Sequence, residues 1–313
     1  MIASTISISF IVLSKIEFFE TAVGAAGRLA DSERLPTVLE DHFRSLGKQS
    51  IVTPAAGGTL GVCFHAKLSG EQKFLKTHLP DARARANLAK EAEIMLRLYG
   101  DVIPLEVIEV RAPDGSTRLC LLMPELTPLV APMQPEQAAA ILRECDERLG
   151  GYRPEPRASL GNLDQYLACA RHALTTLLDC GLLENETATE VRRLIDQLEG
   201  YIADQPRRLC HGDFGPKNIM TIGTQPIVID WEDAFWGIAG YDYLYWLTFM
   251  ENRPFLRVAA FGKTGHTQEV ERAILALVVT LKSFLAVRAR TYANHKLSIQ
   301  SRLLEVLDLP MDA

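Results

Sequence analysis

Hydrophobic positions follow two different rhythms along the chain. Between residues 50 and 124 they come in short β-type runs, at 50–54, 62–68, 73–77, 105–110 and 119–123. Turn residues separate these runs, Ser69-Gly70 in one place and Pro113-Asp114-Gly115 in another. One helix is expected ahead of them, starting near Glu33 behind an Asp31-Ser32 cap, burying Leu35, Val38, Leu39 and Phe43, and ending at Gly47. A second, over 82–99, carries the stripe Leu88, Ile94, Met95 and Leu98. From Glu136 the helical period dominates. It predicts helices over 137–149, 163–179 (capped by Asn162), 187–202 (capped by Asn185), 242–250 (capped by Asp242), 267–292 and 298–309. Flanking Pro128, Pro132 and Pro135 put the change of rhythm near 124/125, which divides the chain into an expected sheet-rich part, 1–124, and a helical part, 125–313.

One β-rich stretch interrupts the helical half. Residues 209–232 read L-C-H-G-D-F-G-P-K-N-I-M-T-I-G-T-Q-P-I-V-I-D-W-E. Gly223-Thr224-Gln225-Pro226 is turn chemistry between two short apolar runs, so the stretch reads as loop, strand, turn, strand. Asp213 then sits in the loop, Asn218 at the start of one strand, and Asp230 at the end of its partner. Phosphoryl transfer needs such a set: a carboxylate to orient the acceptor hydroxyl, and an amide oxygen with a second carboxylate to hold Mg²⁺, an ion that takes oxygen ligands. The D-x-x-x-x-N spacing followed by a further Asp is that of a kinase catalytic loop.

The stretch resembles the aminoglycoside phosphotransferase and choline kinase group of small-molecule kinases, in which H-G-D-x-x-x-x-N is followed by I-D-[FW]-E. The resemblance spans roughly residues 50–250 with the motifs in order. It implies a two-lobed, protein-kinase-like α+β fold, with a small antiparallel-sheet lobe and a mainly helical one. It also implies ATP (or GTP) and Mg²⁺ as cofactors and a small-molecule hydroxyl as acceptor. Asp213 would be the catalytic carboxylate, Asn218 and Asp230 the metal ligands. Glu232 would support the metal site, His211 would be scaffold, and Asp242 would steady the loop. Lys217, where the family often has a small residue, reads as an exposed loop lysine.

The sheet-rich half supplies the remaining candidates. Lys76 lies on the third run, and Glu91 falls within the buried arc of the helix that follows, so the two can meet; Lys73 and Glu93 are the alternates. The small-residue loop A-A-G-G-T-L-G is a weak signal by itself, and the resemblance points to Thr59 as its phosphate contact. Met123-Pro124-Glu125 falls where a hinge would hold adenine, chiefly through the backbone of Met123 and Glu125, with Pro124 removing one donor.

Composition narrows the partners. A net charge of −6 gives no electrostatic reason to expect nucleic acid. The six cysteines form no C-x-x-C pair, which suits buried free thiols in the cytoplasm. The apolar run at 6–13 is short of the roughly 20 residues that span a bilayer and lacks a basic start, so an extra strand or irregular extension is expected there and no membrane association. From residue 251 onward basic residues outnumber acidic ones, the opposite of what a polycationic acceptor needs. The aromatics after Glu232 read in two ways. Tyr241, Tyr245 and Phe249 at four-residue steps suggest packing, and Trp236 is the best single residue for an acceptor wall. A nucleotide-binding pseudokinase or regulatory module is the alternative function; the complete Lys, Glu, Asp, Asn, Asp set argues against it.

Overall fold

The computed structural model describes residues 22–55, 61–112, 114–129, 132–152, 160–294 and 296–311. The run at 6–13 and Thr59 lie outside the described residues.

The first helix, α1 (Ala22–Ser45), does not start at Asp31-Ser32; the chain is already helical there and continues through Pro36. A proline inside a helix removes a hydrogen bond and costs about 3 kcal/mol. Burial of Leu35, Leu39 and Phe43 against the sheet, at four-residue steps, offsets it. Gly47 ends the helix at φ +73, its N–H bonded to Arg44 O while Lys48 N–H reaches Phe43 O, the paired closure that a left-handed residue permits.

Five strands follow: β1 (Ser50–Ala55), β2 (Gly61–Leu68), β3 (Glu71–His78), then helix α2 (Ala82–Tyr99), β4 (Glu106–Arg111) and β5 (Thr117–Pro124). They form one antiparallel sheet in the order β1-β2-β3-β5-β4. Both faces are covered. Along β5, Cys120 and Leu122 join Leu35, Leu39 and Phe43, whereas Leu119, Leu121 and Met123 join Leu88 and Ala92 of α2. A strand buried on both faces has no polar side, which is why residues 119–123 of β5 are an unbroken apolar run. On β3 the same alternation sends Leu75 to the α1 face and leaves Lys76, paired with Leu121, on the α2 face. Asp81 caps α2 by accepting from Arg83 and Ala84 N–H.

Beyond the short β6 (Thr127–Pro128) the chain is mainly helical: α3 (Pro135–Arg148), α4 (Leu163–Asp179) and α5 (Asn185–Ile202). Asn162 caps α4 with a full capping box. Asn185 is instead the first residue of α5, whose preceding residue Glu184 makes no side-chain cap. Next come β7 (Arg208–Cys210), β8 (Ile219–Ile222), β9 (Gln225–Val228), β10 (Phe235–Gly237), α6 (Tyr241–Leu247), α7 (Arg253–Ala259), α8 (Gln268–Arg288) and α9 (Ile299–Leu307). Helix α8 is buried on nearly every side over Ala273–Leu281 and packs against α4, α5, α6 and α9. This explains why its sequence is apolar without a clear stripe. The α6 helix is shorter than its apolar pattern suggested, and it is not capped by Asp242; Gly240, at φ +79, precedes it.

No helix of the described residues is long and apolar enough to cross a membrane. All six cysteines are free; five are buried and Cys180 is exposed.

Candidate active site

The site is built at the seam between the sheet and the helical half. Strand β8 pairs with β6 on one side and β9 on the other, which ties the segment after β5 to the 209–232 stretch. The loop before β8 is fixed from behind by Asp242. Its two carboxylate oxygens accept from the backbone N–H groups of His211 (2.7 Å) and Gly212 (2.9 Å). Burial pushes the Asp242 carboxyl above its ordinary range, and His211 and the two N–H donors pull against that shift. Gly212 sits at φ +83, and a Cβ there would lie 2.5 Å from Asp233 O, so only glycine fits.

His211 has no solvent exposure. The N–H of Asp213 can only donate, so Nδ1 of His211 accepts it (3.1 Å), and Nε2–H therefore donates to Ile229 O (2.9 Å). Both ring nitrogens are thus committed to holding the loop against β9. Asn218 ends a 3₁₀ turn, Pro216–Asn218, directly before β8. Its Nδ2 donates to Asp213 O at 2.8 Å, which leaves Oδ1 as the end available to a cation. Asp230 lies beyond β9 in the left-handed conformation (φ 69, ψ 49), a strained geometry that Asp adopts more readily than most residues. The backbone thereby turns at Asp230, and its side chain meets Lys76.

Lys76 is the centre of charge. Its Nζ lies 2.7 Å from Glu91 Oε2, 2.6 Å from Asp230 Oδ1 and 3.3 Å from Glu232 Oε2. Glu91 also accepts the Asp230 N–H, so a residue of α2 holds both the lysine and the turn. Burial pulls the Lys76 pKa down, but the three carboxylates outweigh it and keep the ammonium charged. Burial pushes Glu232 up to about 8 despite that ammonium. Glu91, Asp230 and Glu232 each offer an oxygen within 4.8 Å of the others, an all-oxygen set of the kind hard divalent ions take.

The remaining candidates are placed as follows. Asp213 accepts from the Tyr245 hydroxyl at 2.7 Å. Met123 is buried on β5 opposite Phe74, while Glu125 is exposed just past the strand and faces His65 at 3.1 Å. Lys217 is exposed. Lys73 pairs with Glu71, away from the cluster. Trp236 is half-buried on β10 and packs against the main core, its backbone N–H donating to Gly161 O.

Two participants have no clear signal in the sequence. Lys90 is buried beside Glu91, its Nζ 3.2 Å from Ala234 O, and burial lowers it to about 8 against the pull of Asp233 and Glu232. Tyr245 has the four-residue spacing of a packing residue, yet its hydroxyl reaches the loop.

A family model for the phosphotransferase enzyme family matches residues 51–275. The chain belongs to this family. Among curated proteins, the N-acetylmuramate/N-acetylglucosamine kinase of Pseudomonas aeruginosa is 28% identical over 222 residues. The match takes in 69% of this chain and 60% of that protein, so the chain spans about three-fifths of the length of this relative. Among solved structures, aminoglycoside phosphotransferase APH(4)-Ia superposes with a TM-score of 0.57 at 15% identity, covering 89% of this chain and 99% of that one. The choline kinase of Cryptosporidium parvum gives 0.50 at 13% identity, covering 82% and 88%. At these identities the likeness is one of fold: the chain has the two-lobed, protein-kinase-like architecture of these proteins.

Proposed function

We propose that the protein transfers the γ-phosphoryl group of ATP, with GTP as the alternative nucleotide, to a hydroxyl of a small molecule. The observation that carries this reading is the junction of Lys76, Glu91 and Asp230. It brings a strand, a helix and the residue beyond the catalytic hairpin to one ammonium, across the seam where a nucleotide's phosphates would lie. A relative in fold was crystallised with ADP and hygromycin B, which supports a nucleotide here. The proposed division of labour follows the chain: 1–124 carries the nucleotide, and 125–313 carries the catalytic loop and the acceptor site.

In this reading Lys76, held by Glu91, steadies the α- and β-phosphates, and Met123 and Glu125 offer backbone groups to the base. Thr59 would meet the terminal phosphates. Asp213 orients the acceptor hydroxyl and takes its proton as the oxygen attacks the γ-phosphorus, while the bond from that phosphorus to the β,γ-bridging oxygen breaks and ADP leaves. The donor set fits Mg²⁺: the Oδ1 of Asn218 is left open by the bond its amide nitrogen makes, and Asp230 supplies a carboxylate within an all-oxygen cluster. An ion held by Asn218 and Asp230 would supply positive charge to offset that of the phosphates. Asp230 would then exchange its contact with Lys76 for one with the ion.

The acceptor reading follows from charge. The Nζ of Lys282 lies 4.3 Å from the ring centroid of Tyr245, the residue bonded to Asp213, so a cation already stands beside the transfer site. That disfavours a polycationic aminoglycoside and supports a neutral or acidic hydroxyl compound, such as the N-acetylated amino sugars named for the curated relative.

The test is ATP consumption with Mg²⁺ across a panel of N-acetylglucosamine, N-acetylmuramate, choline and hygromycin B, with the product identified by phosphorus NMR. Stoichiometric phosphorylation of one acceptor is expected. Tight nucleotide binding with no phosphorylated product would instead favour the regulatory-module alternative.

A further inference from the structure

An orienting carboxylate needs its own orientation fixed. In a loose, dissociative transfer the carboxylate contributes more by direction than by basicity, and misplacement by an ångström is enough to lose most of it. The backbone of Asp213 is held by His211 and Asn218, but neither bond touches its carboxylate. The Tyr245 hydroxyl does, donating to Oδ1 at 2.7 Å.

Tyr245 is itself clamped. Its ring stacks on Tyr241 (centroids 6.2 Å apart) and meets Phe249 edge-on (5.7 Å). The ammonium of Lys282 lies 3.3 Å from the Phe249 centroid and 4.3 Å from that of Tyr245, and donates to Thr248 Oγ1 at 3.0 Å. A cation over a phenol ring makes its hydroxyl a stronger donor, as well as pinning the ring. Phe249 in turn lies so close to Gly215 that a Cβ there would be 2.5 Å from Phe249 Cζ. The aromatic group therefore grips the catalytic loop at two points, the Asp213 carboxylate and the Gly215 backbone.

We propose that Tyr245 is the positioning residue of Asp213: its hydroxyl fixes one carboxylate oxygen, and with it the direction in which the carboxylate meets the acceptor hydroxyl, while Phe249 and Lys282 fix Tyr245. This rests on the reading of Asp213 given above. It makes the aromatics that follow the hairpin part of the transfer machinery.

The experiment compares kcat, nucleotide KM and melting temperature for wild type, Y245F, D213A and the double variant, using the acceptor found in the panel. Y245F removes one oxygen and leaves the packing. It should lower kcat roughly 10- to 100-fold, the range for a hydrogen bond to a charged group, and leave the nucleotide KM unchanged. In the D213A background the same substitution should change kcat less than twofold, because the group it positions is gone; a purely structural role would give the same factor in both backgrounds. Should Y245F fail to fold, F249L, which loosens the ring and keeps the hydroxyl, should lower kcat by a smaller factor with the same unchanged KM. Wild-type kcat in either folded variant, or equal losses with and without Asp213, overturns the inference and leaves the kinase reading standing. A wild-type protein that phosphorylates no acceptor ends both.

Discussion

Replacing Lys76 by Met tests the electrostatic organisation of the site without changing its shape. Lys76 is 7% exposed, and two of its three carboxylate neighbours, Glu91 and Glu232, are 1% and 7% exposed. Asp230, whose side chain is about one-third exposed, can turn to water and is discounted. Without the ammonium, Glu91 cannot stay ionised in a buried site and must take up a proton. Keeping a carboxyl protonated at pH 7.5, against an ordinary pKa of about 4.3, costs about 4 kcal/mol; at pH 5 the same step costs about 1 kcal/mol. The figure at neutral pH falls in the ~3–5 kcal/mol range for breaking a buried ion pair by removing one partner. In wild type burial already raises Glu91 and pushes Glu232 up to about 8, so some stability is lost there too as pH rises. Removing the ammonium raises Glu91 further, so in K76M the folded state binds still more protons and stability falls more steeply above about pH 4.5. Denaturant unfolding of wild type and K76M at pH 5 and pH 7.5 measures it. A loss below about 1 kcal/mol at pH 7.5, or an equal loss at both pH values, would refute the argument that Lys76 is what lets Glu91 ionise. A second readout uses the three oxygens within 4.8 Å of one another: added Ca²⁺ should raise the melting temperature of K76M more than that of wild type.

Three other outcomes are expected. D213A should lower turnover by roughly 10²- to 10⁴-fold, the usual worth of acid–base assistance, with nucleotide binding intact by calorimetry. Gly212→Ala should destabilise by about 1–3 kcal/mol in denaturant unfolding, because the new Cβ would lie 2.5 Å from a backbone carbonyl at a φ of +83. The third concerns His78. Its Nε2 accepts Leu119 N–H at 3.0 Å and its Nδ1 contacts Leu79 O at 2.6 Å, so the neutral ring satisfies both, and burial lowers its pKa. The unfolded state then takes up the proton first, so this contribution is complete above about pH 6.5 and declines below it. The stability advantage of wild type over H78Q should shrink as pH falls from 7 to 5, read from denaturant midpoints.

The regular elements were legible where one local rule governed them. Helix α2 runs from Ala82 to Tyr99 as its stripe predicts, and the Asn162 capping box begins α4 at the expected residue. Boundaries moved where distant packing outweighed local preference: α1 carries a proline through its middle because its buried face lies on the sheet. Asp242 shows the same limit from the polar side. In sequence, an aspartate at the head of a helical pattern reads as a cap, and only the family resemblance made Asp242 the support of the loop. In the fold, two loop N–H groups arriving from 30 residues away claim its oxygens. The meeting of Lys76 with Glu91 was legible because period 2 on β3 and period 3.6 on α2 both point inward at one level. The part taken by Tyr245 was not, since a four-residue spacing says which face a residue lies on and nothing about what its hydroxyl reaches.

The loop and the charge cluster rest on separate supports. The loop is fixed by bonds among His211, Asn218, Asp242 and the backbone, none of which involves Lys76. The cluster is centred on one ammonium, with Glu91 also accepting the Asp230 N–H, and the carboxylates around it would repel one another without it. An ammonium that is compact and has three donors can release one carboxylate and keep the others. Asp230 is the one to leave, because it is the most exposed of the three and sits on a strained turn, while Glu91 and Glu232 have nowhere more polar to go. On the proposed reading, a cation and phosphates would then enter by moving one side chain, against a loop held by bonds that do not involve it. D242N, which weakens the anchor for His211 and Gly212 and leaves Lys76 untouched, should therefore lower kcat and stability together with no change in the pH dependence of stability that distinguishes K76M.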